Sequence, residues 1–491
     1  MSAKSNAEHF QLVAMILPRP RLFSLSLHFC AGRSMLAVFR EAKMLHNPSV
    51  TEKLAQFVAV TRWDDLPPLV THLAKRSLMN FFAAALTGCR DRTMEIALQT
   101  LAAFSGGRQA AIVGRRERID ALGAAFLNAA GANVLDFCDT HVPTAIHPTA
   151  PVAPTLLALG ELQTVSGRDL LLGLVLGQEI ECRIGLAISP SHYNRGWHIT
   201  STCGVFGAAA GASKLLGLDA AQMVWALGHA ATQSSGLCEC LGTPAKSVSV
   251  GNAARNGLWS ALLASKNFDG PAEPLCGVQG YYNALNETPK SSFLIDGLGE
   301  SWEIMATAYK PYPCGFVIHP VLDCVLDWRR DNPQARVQRV VVTGNPLLAA
   351  RTDRPNISTG RESQVSVQHA VAAALVTGKA GVDKFTDACV NDPAVLALRG
   401  KVEVVRDEKF ATIAGEVAIV TADGETHRLT QPAARGSKAN PMSDQDIEDK
   451  LRTAAADAIP RNDIAPLIGA IWELDKSPDT SSLAAITVPR D

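Results

Sequence analysis

Residues 415–430 read "GEVAIVTADGETHRLT". Two runs alternate apolar and polar residues, and Asp423 and Gly424 stand between them. Alternation sends successive side chains to opposite faces of a strand, and an Asp-Gly pair tolerates the positive backbone angles of a tight turn. The stretch therefore predicts a β-hairpin. Two further strands are predicted upstream, "VQRVVVTG" at 337–344 and "KVEVVRDE" at 401–408. Between them "SVQHAVAAALVTG", at 366–378, has the three-to-four apolar spacing of a helix.

On both sides of this block the period is helical. "SVTE" at 49–52 is a capping box, and "EKLAQFVAV" and "LVTHLAKRSLMNFFAAALTG" follow with helical spacing. Ser166 and Asp169, three apart, cap "SGRDLLLGLVLGQEIECRIGLAI". "STCGVFGAAAGASKLLG" and "VGNAARNGLWSALLAS" are rich in Ala, Gly and Ser. Small residues let helices approach closely, so both are expected to be buried helices, although each glycine costs roughly 1 kcal/mol of helix propensity. "SDQDIEDKLRTAAADAI" at 443–459 restores the helical period. The expected fold class is mostly α. A large all-helical domain is formed by both chain ends, 47–309 and 438–491, with a smaller α+β domain at 310–437.

The chain has 491 residues, which is long for a single core, and 47% are apolar against 19% charged, as in globular proteins. A formal charge of −1 argues against broad binding to a phosphate backbone, so no nucleic-acid partner is expected. No apolar run approaches the ~20 residues that span a bilayer, so no membrane partner is expected either. The eleven cysteines include no CxxC pair. That argues against a disulfide framework, a structural zinc and an iron–sulfur cluster, and for a reducing, cytoplasmic compartment. Residues 1–46 carry Arg19, Arg21, Arg33 and Arg40 against only Glu8 and Glu41. They are read as an N-terminal extension, disordered or belonging to a start codon placed too early. A mitochondrial transit peptide is the alternative.

Four stretches concentrate proton-handling groups. "DFCDTHVPTAIHPT", 136–149, sets Asp136 and Thr140 four apart, on one face if the preceding helix continues, with His147 extended before Pro148. A polar loop with helix-capping Asp and Thr is the plainer alternative. In "NRGWHITST", His198 precedes Thr200, Ser201 and Thr202, any of which could cap a helix whose N-terminus favours an anion. A histidine simply packed beside Trp197 is the alternative. In "GTPAKSVSVGNAARNG", Lys246 is the sole cation between Lys214 and Arg255, and it either reaches the surface or binds an anion. In "YKPYPCGFVIHPVLD", Lys310, Cys314 and His319 flank two prolines at the expected domain boundary, where ligand clefts are common and incidental linker polarity is the alternative. No G-x-S-x-G, P-loop or dinucleotide-binding glycine pattern occurs.

Together and in this order, "DFCDT" with "HPT", "GWH", "AKSVSVGNAARNG" and "KPYP" resemble the MmgE/PrpD family. The family includes 2-methylcitrate dehydratase, cis-aconitate decarboxylase and iminodisuccinate epimerase. The resemblance implies a helical domain with a smaller lid domain, a homodimer, a small polycarboxylate substrate, and no metal or organic cofactor. It implies pocket residues Asp136, Thr140, His147, His198 and Lys246, with the stretch from Lys310 to His319 closing from the lid side. Three positions depart from the pattern. Cys138 replaces a usual Asp. Gly315 stands near the place of a histidine of the decarboxylase branch, and His369 near the place of its tyrosine.

Removing a proton next to a carboxylate places negative charge on the carboxylate oxygens, so a base and cationic donors are needed. In the expected roles, His198 or His147 transfers the proton, Lys246 clamps a carboxylate, Asp136 orients a histidine and Thr140 bonds substrate. Dehydration of the 2-methylcitrate dehydratase type is the expected reaction. Epimerisation of an imino- or amino-dicarboxylate, decarboxylation of cis-aconitate and non-catalytic carboxylate binding are the alternatives.

Overall fold

In a computed structural model, which describes residues 48–286 and 289–489, four strands form one sheet. They are β1 (Val337–Gly344), β2 (Val402–Arg406), β3 (Gly415–Thr421) and β4 (Thr426–Gln431), in the order β2-β1-β3-β4. β3 and β4 are the predicted hairpin, antiparallel throughout, with Gly424 at φ 89° in its turn. β2 runs parallel to β1, so the chain between them must cross over, and it does so through helices. The valines and isoleucine of the central strands, Val340, Val342, Val417 and Ile419, are fully buried in one apolar cluster with residues of the helices 319–331 and 367–377. β4 at the edge alternates exposed and half-buried residues.

The helices form where caps and spacing place them. α1 (Val50–Val60) opens on the Ser49/Glu52 capping box. α2 (Pro68–Gly88) begins with proline at its first position, where no N–H is missed. α3 (Arg92–Ala102), α4 (Ala121–Asn133) and α5 (Thr149–Gly160) follow, then α6 (Gly167–Ile188), capped by Ser166. α6 crosses α7 (Ile199–Leu215) at glycines. A methyl at Gly177 would lie 2.7 Å from the Gly207 carbonyl oxygen, so only a bare backbone permits that approach. α8 (Ala245–Ser265) is less buried than its composition suggests, since Trp259 and Val248 are each 45% exposed. After the sheet, α9 (Asp444–Ala455) and α10 (Arg461–Trp472) return to α2. There Arg76 pairs with Asp444, and Lys75 with Asp475 just beyond α10.

The protein is mostly α-helical. One large apolar cluster draws on residues from Leu54 to Tyr309 and from Met442 to Leu483, and a second runs from Cys314 to Ile419. Backbone contacts nonetheless knit the described residues from 49 onward into a single unit. The arginine-rich extension, 1–46, lies outside the described residues. Among the described residues, no helix is long and apolar enough to cross a membrane.

Candidate active site

α4 stops at Asn133, and Asp136 then takes φ 53°, a left-handed backbone conformation that an Asp tolerates better than most residues. The helix therefore does not continue, and Asp136 and Thr140 do not share a helix face. Thr140 instead lies in a short ladder, Thr140–His141 paired antiparallel with Thr307–Ala308. This ladder delivers Lys310, two residues past its end, to Asp136.

Asp136 is 5% exposed and lies between two ammonium groups. Its Oδ1 is 2.5 Å from Lys246 Nζ, and its Oδ2 is 3.1 Å from Lys310 Nζ, which also donates to the Asp136 carbonyl. Burial alone would raise the carboxyl, but Lys246 and Lys310 outweigh it and hold it well below the usual range. Lys246 thus neither reaches freely into solvent nor waits unpaired.

His147 Nδ1 lies 2.7 Å from the Asp139 carbonyl oxygen and 3.2 Å from Thr140 Oγ1. A carbonyl only accepts, so Nδ1 carries the proton of the neutral ring. Nε2 is then the unprotonated nitrogen, 3.7 Å from Asp136 Oδ1. Burial, then Lys310 and Lys246, push His147 well below its ordinary pKa. His198 is the N-cap residue of α7 and is 3% exposed. None of the three expected hydroxyls caps this helix. Thr200 Oγ1 accepts from the His147 main-chain N–H, Ser201 Oγ bonds His198 Nδ1, and Thr202 Oγ1 bonds His192. Ser201 and Ser249 hydroxyls, 2.7 Å apart, link His198 to the Lys246 carbonyl. Burial and Lys246 lower His198 to about 3.

His319 is fully buried, bonded through Nε2 to the Cys314 carbonyl, and lowered to about 3 by burial and by Lys310. The Cys314 thiol is buried and pushed far up. Asp136, His147, His198, Lys246 and Lys310 are therefore brought together, with Thr140 against His147 and His319 within reach of the Lys310 field. His369 lies apart, bonded to the Lys384 carbonyl and packed on Phe385.

Sequence reasoning missed three groups. Lys450, on α9, donates to Asn80 Oδ1 and to the main-chain carbonyls of Phe137 and Lys310. Asp139 is fully buried, accepts from Thr149 through both oxygens, and is raised by burial to about 6. Glu181 is buried, neither of its carboxyl oxygens is hydrogen-bonded among the described residues, and burial raises it well above the usual range. Cys138, in place of the family's Asp, is buried and raised to about 11, so it brings no charge to the site at neutral pH. A mostly apolar cavity of about 860 Å³ abuts Leu135 and Ala245, the residues just before Asp136 and Lys246. Among the described residues, no group of three His, Cys, Asp or Glu side chains is arranged to hold a metal ion.

Family models of the MmgE/PrpD N-terminal and C-terminal domains match residues 52–294 and 312–474. The chain belongs to the MmgE/PrpD family. Its curated MmgE/PrpD relatives include a cis-aconitate decarboxylase-like protein of Aspergillus oryzae, 27% identical over 89% of this chain and 97% of that one. The human cis-aconitate decarboxylase is 27% identical over 89% of this chain and 94% of that protein. A cis-aconitate decarboxylase of Aspergillus terreus is 28% identical over 88% and 95%. The junction between the two family domains falls at 295–311, the segment that carries Lys310.

Proposed function

We propose that this protein is a lyase acting on a small di- or tricarboxylate without an organic cofactor, and that it decarboxylates an unsaturated tricarboxylate of the cis-aconitate type. One observation carries the reading: a buried carboxylate, Asp136, held between Lys246 and Lys310, with the unprotonated Nε2 of His147 beside it. Two lysines sharing one carboxylate leave a local surplus of positive charge. A polycarboxylate supplies the missing negative charge, and its carboxylates compete with Asp136 for the ammonium groups.

In the decarboxylation, the bond from carbon to the departing carboxylate breaks, and its electron pair forms a new carbon–carbon double bond. The former double bond gives its pair to the carbon at its far end, which takes a proton, and CO2 leaves. Negative charge on the remaining carboxylates grows as the old double bond shifts, and Lys246 and Lys310 stabilise it. His147 or His198 supplies the proton. Both are neutral in the free protein, and a bound polyanion raises their proton affinity, so substrate itself arms the acid. The names of the relatives support decarboxylation over the expected dehydration.

Dehydration of a 2-methylcitrate-like hydroxy acid is the second reading. Gly315 and His369 favour it, since they stand near places where the decarboxylase branch carries histidine and tyrosine. The same groups serve it, with a histidine removing a proton and hydroxide departing. A homodimer belongs to the same proposal, and sedimentation of the purified chain tests it.

The test is incubation with cis-aconitate, 2-methylcitrate, citrate and iminodisuccinate, followed by mass spectrometry. Loss of CO2 from cis-aconitate is expected. Loss of water from a hydroxy acid selects the second reading, and epimerised iminodisuccinate or no product from any compound contradicts both.

A further inference from the structure

We propose that Lys450 is a positioning residue that holds the Asp136 loop and the segment carrying Lys310 together, so that Asp136 stays between Lys246 and Lys310. This rests on the functional reading above for its assay. Lys450 Nζ lies 2.7 Å from Asn80 Oδ1 on α2, 2.7 Å from the Phe137 carbonyl and 2.8 Å from the Lys310 carbonyl. It also sits 3.7 Å from the centre of the Phe137 ring. Phe137 follows Asp136 directly, and Lys310 is the second ammonium of the site. One side chain from the C-terminal end of the chain therefore fastens the backbones that carry two reacting-site groups. The loop needs such a fastening, because Asp136 occupies a left-handed conformation that a free chain rarely holds.

The clamp depends on the ammonium form. Three N–H groups meet three oxygen acceptors. The amine has only two, and would turn a lone pair on the third oxygen. Among the described residues, no carboxylate is paired with Lys450 Nζ. Burial lowers its pKa to about 7 and Lys310 adds to the lowering, while Asp139 pulls the other way and Cys138 would do so only as a thiolate. The other groups that face it are His319 and the residues Arg90, Asp383, Arg435, Asp446, Asp449 and Asp457, which line the adjoining cavity of about 780 Å³. His319 stays neutral down to about 3 and Cys138 stays protonated up to about 11. Neither accounts for a change between pH 7 and 8. Asp139, raised to about 6, acts on the acid side.

The test uses the full chain and compares wild type with Lys450→Met and Asn80→Asp. Lys450→Met keeps length and apolar contact but removes every donor. Its kcat per folded molecule is expected to fall about 100-fold, the scale of a roughly 1 Å misplacement, while the three acceptors left without a donor lower its melting temperature without unfolding it at the assay temperature. In wild type, kcat falls as pH rises through about 7 to 8, and that limb is absent from Lys450→Met. Asn80→Asp sets a carboxylate against the ammonium, so the limb moves up by about one pH unit or more. An active Lys450→Met with kcat within threefold of wild type, an activity loss matched by loss of folded protein, or a limb unmoved by Asn80→Asp overturns the inference while leaving the functional reading intact. If wild type turns over none of the four compounds, calorimetry with cis-aconitate replaces the assay. At least tenfold weaker binding by Lys450→Met supports the inference, and equal binding overturns it. A wild type that neither binds nor reacts overturns the functional reading and this inference together.

Discussion

The His147 Nδ1 proton is held by the main-chain carbonyl of Asp139, 2.7 Å away. That one bond leaves the other ring nitrogen as the basic one and turns it towards Asp136 and the two lysines. It also gives the DFCDT element a job that its acids do not perform. The Asp139 carbonyl sets the tautomer, while its carboxyl is occupied by Thr149.

His147→Ala removes the nitrogen that faces the charged cluster. We expect kcat to fall at least about 100-fold on any polycarboxylate the protein turns over, the usual worth of a positioned acid or base. His198→Ala is expected to cost a similar factor. Steady-state kinetics with folding checked by circular dichroism decides both, and a variant within a few-fold of wild type is removed from the mechanism.

Asp136→Asn isolates charge from shape. Asn has the same outline and tolerates the left-handed backbone, so the loop is preserved. Two buried ammonium groups then lose their shared anion, and stability should fall by about 3 kcal/mol in urea unfolding. Added polycarboxylate should recover part of that loss by binding the lysines, more than it stabilises wild type. No destabilisation, or no recovery with ligand, contradicts the placement of charge.

Acid should destabilise the fold through its histidines. His198 and His319 are held to about 3 and His147 also well down, chiefly by burial, whereas an unfolded histidine titrates near 6.5. Between those values the unfolded chain binds more protons, so stability drops as pH falls below about 6.5. His192 and His369, also lowered, add to the drop. Asp139, Glu179 and Glu181 act oppositely. Their folded values are raised, so their contribution is present in acid and lost as pH rises through the folded value. The His198→Asn protein should lose less stability than wild type between pH 6.5 and 4.5. An equal loss in both contradicts a neutral buried His198.

Gly436 packs against the segment that carries Lys310. Its φ is 93°, its carbonyl accepts from the Tyr309 N–H at 3.0 Å, and a methyl placed on it would overlap the Tyr309 carbonyl oxygen. Gly436→Ala should cost at least about 2 kcal/mol of stability and depress activity by moving Tyr309 and Lys310. Denaturant unfolding and kinetics on the same preparation check this, and wild-type values in both rule it out.

Much of this was legible locally. The hairpin around Asp423 and Gly424, the Ser49 and Ser166 caps and the helix 367–377 each declare themselves within a few residues, because turns and caps are local chemistry. The seven candidate residues were legible as residue types in ordered stretches. What joins them was not. Lys246 meets Asp136 across 110 positions, and Lys450 meets Phe137 across 313. Nothing near Lys450 sets it apart, since it lies in a charged amphipathic helix, and only the fold turns it inward. The shared helix face of Asp136 and Thr140 was conditional on the helix continuing, and it does not, since α4 ends at Asn133 and Asp136 at φ 53° meets Lys246 and Lys310. α8 was expected to be buried, yet its small residues serve the faces that pack on α4 and α7, where Gly251 meets Phe126 and Gly257 meets Ala208, and Trp259 marks an exposed side.

The central claim is that this buried cluster moves a proton at carbon beside a carboxylate, and turnover in D2O tests it most directly. With cis-aconitate as substrate, mass spectrometry of the decarboxylated product should show one solvent deuterium bound to carbon per molecule. Product without carbon-bound deuterium would contradict the account, as would no product at all from any small polycarboxylate.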